Sequence, residues 1–444
     1  MRRLLPGCLL LASAGCGVQE IELAPDLGQV IVQGDVPRAA LEQLARAPAG
    51  KPEPRVAVSE PADGSAIPGN IAPLGFRFKS DKKPMMMEPM MMEPMMMKPA
   101  GGGVQAFELT LRAGARELRL YTRDERAVLP AAHWQSLLDV PAGTQLEAQL
   151  QALQEDGRIV TSAPITITLL APLARGGLAY WSDSGERALG VQLEQEAAYD
   201  LQVAFPSLQP WESWHAQTKL FASAQDGLLR VMRAEQELAP AWAVAWQIEQ
   251  PEWLADASAL LFVTFTPGGP PVGMRPPMTP PEAAPAPGVR SRVMRARWLD
   301  ALTLAEPELL TESDKADESL RAPSACPGAR WVVFERAKEK DATGRLWVVP
   351  AEGGEATELA LEPGWKGEGG TPTCLPGGAE GELWVAFSQA RGPGDDKLEP
   401  SQLQLWLVAA REDSEGRLVA THQPFWLPQQ RPNESNRRLL WFDE

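Results

Sequence analysis

The chain has 444 residues, 44% hydrophobic and 23% charged, a composition that excludes a wholly disordered protein and is long enough for two domains. Its formal net charge of −16 excludes nucleic-acid binding through phosphate neutralisation, which needs a basic face. Beyond the N-terminus no apolar run reaches the ~18 residues of a helical membrane span.

Met1-Arg2-Arg3 supplies a positive segment, Leu4 to Ala12 an apolar one, and Ser13-Ala14-Gly15 small residues ahead of Cys16. This layout reads as a secretory signal. The cysteine directly after the small residues resembles a bacterial lipoprotein lipobox, with Ser13 in place of the usual leucine. That resemblance implies a signal peptide over 1–16, acylation of Cys16, and attachment to the bacterial cell envelope, at the outer membrane, through lipid alone. Stable attachment takes more than one acyl chain. The alternative is an ordinary signal peptide cut near the same place. Residues 17–54 are polar, alanine-rich and punctuated by proline, and read as a tether. Within it Asp35 is placed to cap a short helix through Ala39–Ala45, with Leu41 and Leu44 on one face.

Residues 55–171 alternate as strands do. Arg55–Ser59, Leu74–Phe78, Phe107–Arg112, Glu117–Tyr121, Gln145–Leu153 and Ile159–Leu169 are the expected strands, with turns at Asp63-Gly64, Ala113-Gly114 and Asp156-Gly157. Strands at this density predict an immunoglobulin-like or fibronectin-like sandwich. The stretch Glu60–Phe78, EPADGSAIPGNIAPLGFRF, resembles the first strands of Ig-like modules in bacterial envelope proteins. No Cys…Trp…Cys core accompanies it.

Residues 85–99, MMMEPMMMEPMMMKP, hold nine of the fourteen methionines, and proline at every fifth position forbids a continuous helix, so an exposed loop is expected. Thioethers suit Cu(I), which makes Met85, Met86, Met87, Met90, Met91, Met92, Met95, Met96 and Met97 candidate soft-metal ligands. Reversible oxidation of the same sulfurs is a second reading. An expanded repeat tolerated in a surface loop is the third, since long loops close at little cost.

Of the tryptophans only Trp134 precedes residue 170; the others run from Trp181 to Trp441 and mark a second domain over 172–444. Tyr180-Trp181 with Ala188–Leu193 reads as a first unit, and Leu220–Ala224 with Leu228–Arg233, flanking Asp226-Gly227, as a second. Three degraded copies of one motif follow, Pro251–Phe265 (PEWLADASALLFVTF), Pro323–Phe334 and Pro372–Phe387, each a turn and a buried strand. Val293–Leu299, Leu346–Pro350 and Leu403–Ala409 trail them as second strands. At about 40 to 45 residues per unit the segment predicts a β-propeller of about six blades. Arg437–Phe442 is placed to pair near Leu178 and close the ring. A proline-rich stretch, 267–288, interrupts the third unit; it is either a docking segment or a stiff solvent loop.

The pattern Pro-x-Trp-x-x-Asp-x-Ser at Pro251, Trp253, Asp256 and Ser258 resembles the blade-opening motif of TolB-type, WD-like β-propellers, with Ala255 and Ala257 where that motif has proline and glycine. His422-Gln423-Pro424-Phe425-Trp426-Leu427-Pro428, with Asn433 and Asn436, is similar to the C-terminus of myxobacterial envelope TolB-like proteins. The resemblance spans 177–441 and implies that Trp253 packs between blades and Asp256 ties the turn. Some relatives carry a haem-attachment Cys-x-x-Cys-His-Ala; here Trp211-Glu212-Ser213-Trp214-His215-Ala216 lacks the thiols, so no haem is expected and His215 reads as a blade residue.

Export leaves Cys326 and Cys374 in a compartment that permits disulfides, at nearly equivalent turns of successive units. They are either a disulfide or two inert buried thiols. His133, His215 and His422 are widely spaced, and no zinc, P-loop, nucleophile-elbow or dinucleotide pattern is present. The expected protein is all-β, a sandwich then a propeller, with no enzymatic activity and no cofactor apart from possible Cu(I). Its expected role is to bind or scaffold an envelope or cell-wall-associated partner. Copper handling through the methionine loop is the alternative, and a hydrolase using propeller carboxylates a weaker one.

Overall fold

A computed structural model describes residues 18–19, 29–48, 50–71, 74–80, 103–138, 140–173, 177–182, 187–192, 199–200, 212–215, 220–225, 228–233, 236–237, 248–254, 257–265, 290–300, 303–315, 317–328, 330–338, 341, 343–361, 365, 369–377, 381–392, 398–399, 402–428, 430 and 434–442. The chain divides into two compact units, one of Met1–Val58, Phe78–Ala127 and Ala148–Pro164, the other of Ser59–Arg77, Val128–Glu147 and Ile165–Glu444. The division therefore does not fall at one point near residue 171, where the sequence placed it. Segments 59–77 and 128–147 group with the C-terminal part.

The N-terminal elements are β1 (Val18–Gln19), β2 (Gln29–Gln33), α1 (Arg38–Arg46), β3 (Val56–Glu60), β4 (Ala66–Pro68), β5 (Leu74–Ser80), β6 (Val104–Ala113), β7 (Arg116–Thr122), β8 (Arg126–Leu129), α2 (Ala131–Leu138), β9 (Thr144–Gln154), β10 (Ile159–Thr161) and β11 (Ile165–Leu170). Two hairpins follow the sequence signals. β6 and β7 turn at Gly114, φ 60°, and β9 and β10 turn at Gly157, φ 82°, a left-handed conformation that glycine adopts without a Cβ clash. β2 lies parallel to β7, with Ile31 opposite Leu120. β3, β5 and β8 make a three-stranded sheet, and β4 runs parallel to β11.

The tether expected over 17–54 is corrected here. β2 is a sheet strand, and α1 buries Ala40, Leu41 and Leu44 against Ala106, Tyr121 and Leu153. Three apolar residues on one helical stripe are enough to dock a nine-residue helix, each worth about 1.5–3 kcal/mol when covered, with alanine well below that. Asp35 does not cap the helix: Pro37 occupies that position with φ −59°, and its carbonyl accepts from Ala40 and Leu41. The expected single strand Ile159–Leu169 is two strands, because Ser162 breaks it by bonding back to Leu150 N and to the carbonyl of Ala163.

The C-terminal unit holds five successive antiparallel sheets. The first is β12 (Gly177–Ser182), β13 (Arg187–Gln192) and β14 (Tyr199–Asp200); the second β15 (Glu212–His215), β16 (Leu220–Gln225), β17 (Leu228–Arg233) and β18 (Gln236–Glu237). The third is β19 (Ile248–Trp253), β20 (Ala259–Phe265), β21 (Ser291–Asp300) and β22 (Thr303–Leu304), with β23 (Glu308–Glu312) also on β21. The fourth is β24 (Glu318–Ala325), β25 (Trp331–Lys338), β26 (Arg345–Pro350) and β27 (Thr357–Glu358). The fifth is β28 (Gly370–Leu375), β29 (Glu382–Gln389), β30 (Gln404–Glu412) and β31 (Leu418–Ala420), with β32 (Phe425–Trp426) also on β30. The last strand, β33 (Asn436–Phe442), returns to β12, with Leu178 opposite Trp441.

β33 thus becomes the first strand of the first sheet. First strands stand side by side in the order β15, β19, β24, β28, β33. Sheets of four strands, each a meander, placed in file on their first strands, are propeller-like. Five such sheets lie among the described residues, against the expected six or so, and the third and fifth each carry an extra strand, β23 on β21 and β32 on β30.

Two apolar clusters weld adjacent blades. Leu254, Leu261 and Val293 with Leu320, Phe334 and Val349 join the third to the fourth, and Val333, Leu346 and Val348 with Val385, Phe387 and Trp406 join the fourth to the fifth. The segment leading to β33 is held by amide side chains. Gln430 accepts from Leu405 N at 2.7 Å and donates to Leu405 O and Leu427 O at 2.8 Å each; Gln404 donates to Glu434 O at 2.7 Å; Ser435 accepts from Leu403 N at 3.3 Å. Ser182 on β12 donates to the Glu434 carboxylate at 2.8 Å.

Candidate functional site

The repeated prolines place the site. Pro251, Pro323 and Pro372 do not open a turn after the blade begins; each sits inside the first strand of its sheet. The preceding residue adopts a left-handed conformation, Gln250 at φ 51°, Ala322 at 46° and Thr371 at 43°. At each the pairing slips, between Glu249 and Glu252, between Arg321 and Ser324, and between Gly370 and Thr373. These are β-bulges at matching places in three neighbouring first strands. A fourth slip sits where β33 meets β12, at Tyr180/Trp181. Left-handed non-glycine residues cost about 1–3 kcal/mol each and persist only where neighbours hold them.

Neighbouring blades do hold them. Gln250 Oε1, on the third blade, accepts from Ala322 N on the fourth. Glu335 Oε2, on the fourth, accepts from Thr371 N on the fifth at 3.1 Å, while its Oε1 accepts from Gly344 N at 2.7 Å. Arg321 Nη1 is 3.8 Å from the same carboxylate. Thr371 and Ser388 share a hydroxyl bond of 2.8 Å, and Ser388 donates to Gly370 O at 3.0 Å.

Glu335 is 3% exposed, and burial pushes its carboxyl above the usual carboxylate range, opposed by the charge of Arg321, the amides of Thr371 and Gly344, and the charge of Arg437. Arg321, Gln250, Ala322 and Thr371 are half-buried. The guanidinium of Arg321 is positioned through Nε, which donates to Ser319 Oγ at 2.9 Å, and Nη1, which donates to Asp341 O at 3.4 Å. Glu318, another buried acid of this blade, is committed to Arg336 and Lys315. The arrangement sets the half-buried side chains of Gln250 and Arg321 beside the bulges of the first strands. Its deep carboxylate is already occupied by backbone.

Cys326 and Cys374, a few residues beyond the same bulges, have Sγ atoms 1.97 Å apart, a disulfide that joins the fourth and fifth blades inside their shared cluster. Ser324 Oγ accepts from Cys374 N beside it at 3.3 Å. Trp253 is buried, with its ring edge-on to that of Trp298 on the same sheet at 5.5 Å. Asp256 lies outside the described residues; the turn it belongs to is tied by Leu254 N to Ala259 O and Ala257 N to Leu254 O, with Ala257 at φ 55° where the resembling motif has glycine.

Cys16, the methionines from Met85 to Met97, and the proline-rich stretch 267–288 also lie outside the described residues. The side chain of His215 does too, its backbone being in β15. His133 is in α2, and His422 Nδ1 is 2.8 Å from Thr421 Oγ1. No group of three or more His, Cys, Asp or Glu with metal-binding geometry occurs among the described residues.

The sequence did not single out Glu335, Arg321 or Gln250, because nothing in a blade strand marks which polar residue meets the next blade. The signal that was present is the residue before each repeated proline. Also unforeseen is Arg391, stacked 3.9 Å from the Trp365 ring and 5.7 Å from Trp406; burial lowers the pKa of its guanidinium, opposed by Glu60.

No protein-family model and no curated protein matches the chain in sequence. Among solved structures, a nidogen/laminin complex is similar over 75% of this chain and 97% of its own, at 8% identity and TM-score 0.32. An oligogalacturonate lyase from Vibrio parahaemolyticus is similar over 53% of this chain and 58% of its own, at 12% identity and TM-score 0.27. A gluconolactonase from Xanthomonas campestris is similar over 64% and 73%, at 13% identity and TM-score 0.27. Likeness this slight bears on neither activity nor ligand, and the propeller-like fold rests on the order of the strands.

Proposed function

We propose that the protein is a lipid-anchored bacterial envelope protein whose TolB-type propeller acts as a non-catalytic binding or scaffolding module for an envelope or cell-wall-associated protein. The observation that carries this reading is the state of Glu335. Both its oxygens accept backbone amides, from Gly344 and Thr371, and Arg321 lies beside them, so this buried acid beside the first strands serves as an interblade latch rather than as a general acid or base. Placement of Pro251, Pro323 and Pro372 at one repeated bulge supports the TolB-type reading, and the two-sheet N-terminal strands, with Phe78 against Phe107 at 5.3 Å, support an Ig-like module. Envelope attachment rests on the segment Met1 to Cys16.

Chemical crosslinking and affinity capture from membranes test it. Glu335→Gln should leave captured partners unchanged, whereas loss of a hydrolytic activity together with unchanged stability in that variant would favour the hydrolase reading. Cys16→Ser should move the protein from the membrane to the soluble fraction and abolish labelling by a fatty-acid analogue.

A further inference from the structure

The sheet face that α1 packs on carries a buried acid. Leu41 and Leu44 cluster with Tyr121, Ala106 and Val32, and Val32 of β2 is the register partner of Tyr121 on β7. On its other side Tyr121 stands directly opposite Glu108 of β6, which shares a strand face with Ala106 at the alternate position. Glu108 is 3% exposed, and its Oε2 and the Tyr121 hydroxyl are both enclosed without a partner at hydrogen-bond distance among the described residues. Oε1 is better served: Thr110 Oγ1 donates to it at 3.2 Å, and Arg119 Nη1 is 3.5 Å away. Arg119 also donates through Nε to Glu117 at 2.8 Å, and Arg112 donates to the other oxygen of Glu117 at 2.9 Å, so the Arg119 cation is shared between two acids. β2 adds no charge, since its residues on this face are Val30 and Val32. On β9 the face of Leu153 brings Gln151 and Gln149, with Glu147 its titratable group further along. On α1, Arg38, Glu42 and Arg46 pair with one another on the solvent side.

Burial pushes the Glu108 carboxyl above the usual carboxylate range, opposed first by the charge of Arg119. Undocking α1 opens this face to water, which solvates an ionised Oε2, whereas a protonated carboxyl loses much less by being covered. The docked form therefore keeps its proton to higher pH than the undocked form. Docking is strongest below the ordinary glutamate range and weakens as pH rises through the raised value.

We propose that α1 is a proton-sensitive strap, held to the sheet while Glu108 is protonated and loosened when Glu108 ionises. Its other tie, from Gln43 Nε2 to the carbonyl of Gly157 at 2.9 Å, involves no titrating group and is indifferent to the change. On the lipid-anchor reading, release of α1 lengthens the free chain between Cys16 and the sheet. The strap itself does not rest on that reading, and hydrogen exchange reads it whether or not Cys16 is acylated.

The test is hydrogen exchange of the amides of residues 41–46 in the full chain, at about pH 4 and about pH 8, converted to opening constants with the intrinsic pH dependence removed. In the parent, α1 should open at least about threefold more often at the higher pH. Glu108→Gln, checked for folding by thermal melting, keeps the size of the side chain and removes its titration, so opening should be equally rare at both values. Leu41→Ala loosens α1 without touching the acid; it should raise opening at both values and leave their ratio as in the parent. A parent ratio near one overturns the proposal by itself, as does a Glu108→Gln ratio equal to that of the parent.

Discussion

Glu335 shows how one side chain decides between roles. Its removal leaves the amides of Gly344 and Thr371 without their acceptor, so Glu335→Ala should cost about 3 kcal/mol in chemical denaturation. Its pH signature has a definite sign. Because burial raises the folded value above that of the unfolded chain, the folded state holds the proton longer. Glu335 therefore favours folding most below the ordinary glutamate range, and that contribution is lost as pH rises through its raised value. Melting curves against pH should show this slope in the parent and not in Glu335→Gln; a slope of the same size in both would assign it elsewhere. Residue identity at such positions was not readable beforehand: Glu335 lies in WVVFERAK, a strand that looks like any other, and its meaning comes from Thr371, which is 36 residues away.

Elements were more legible than residues. Strands flanking Ala113-Gly114 and Asp156-Gly157 form where alternation and turn chemistry agree, and the trailing strands of the third, fourth and fifth blades fall where expected. What failed were elements whose order comes from packing. β2 and α1 looked like tether because five extended residues and a nine-residue helix carry little signal of their own, yet Leu41 and Leu44 are covered by Tyr121 and Leu153. Leu41→Ala should then destabilise the N-terminal unit by about 2–4 kcal/mol, whereas in a tether it would change nothing measurable in a melting curve. The motif prolines were read as opening turns, whereas they sit in first-strand bulges, since a pre-proline left-handed residue has no signature except its place in the repeat.

On the scale of the whole molecule, the blades depend on two long-range ties. The disulfide spans 48 residues, and on the chain-entropy model its loss in Cys326→Ser, Cys374→Ser should cost about 4 kcal/mol. Non-reducing peptide mapping should recover the two cysteines as one linked pair. The second tie is β33 on β12, supported by Gln430 and Gln404. Gln430→Ala strands Leu405 N–H and should accelerate hydrogen exchange in β12 and β33 before the fourth blade responds.

The proposed binding role puts the partner on the C-terminal unit, beside the bulges of its first strands. A photo-crosslinking amino acid in place of Asp341, whose carbonyl accepts from Arg321, should trap a partner on intact membranes, while the same amino acid at Arg38 on α1 should not. Equal trapping from both positions, or trapping from Arg38 alone, would contradict it.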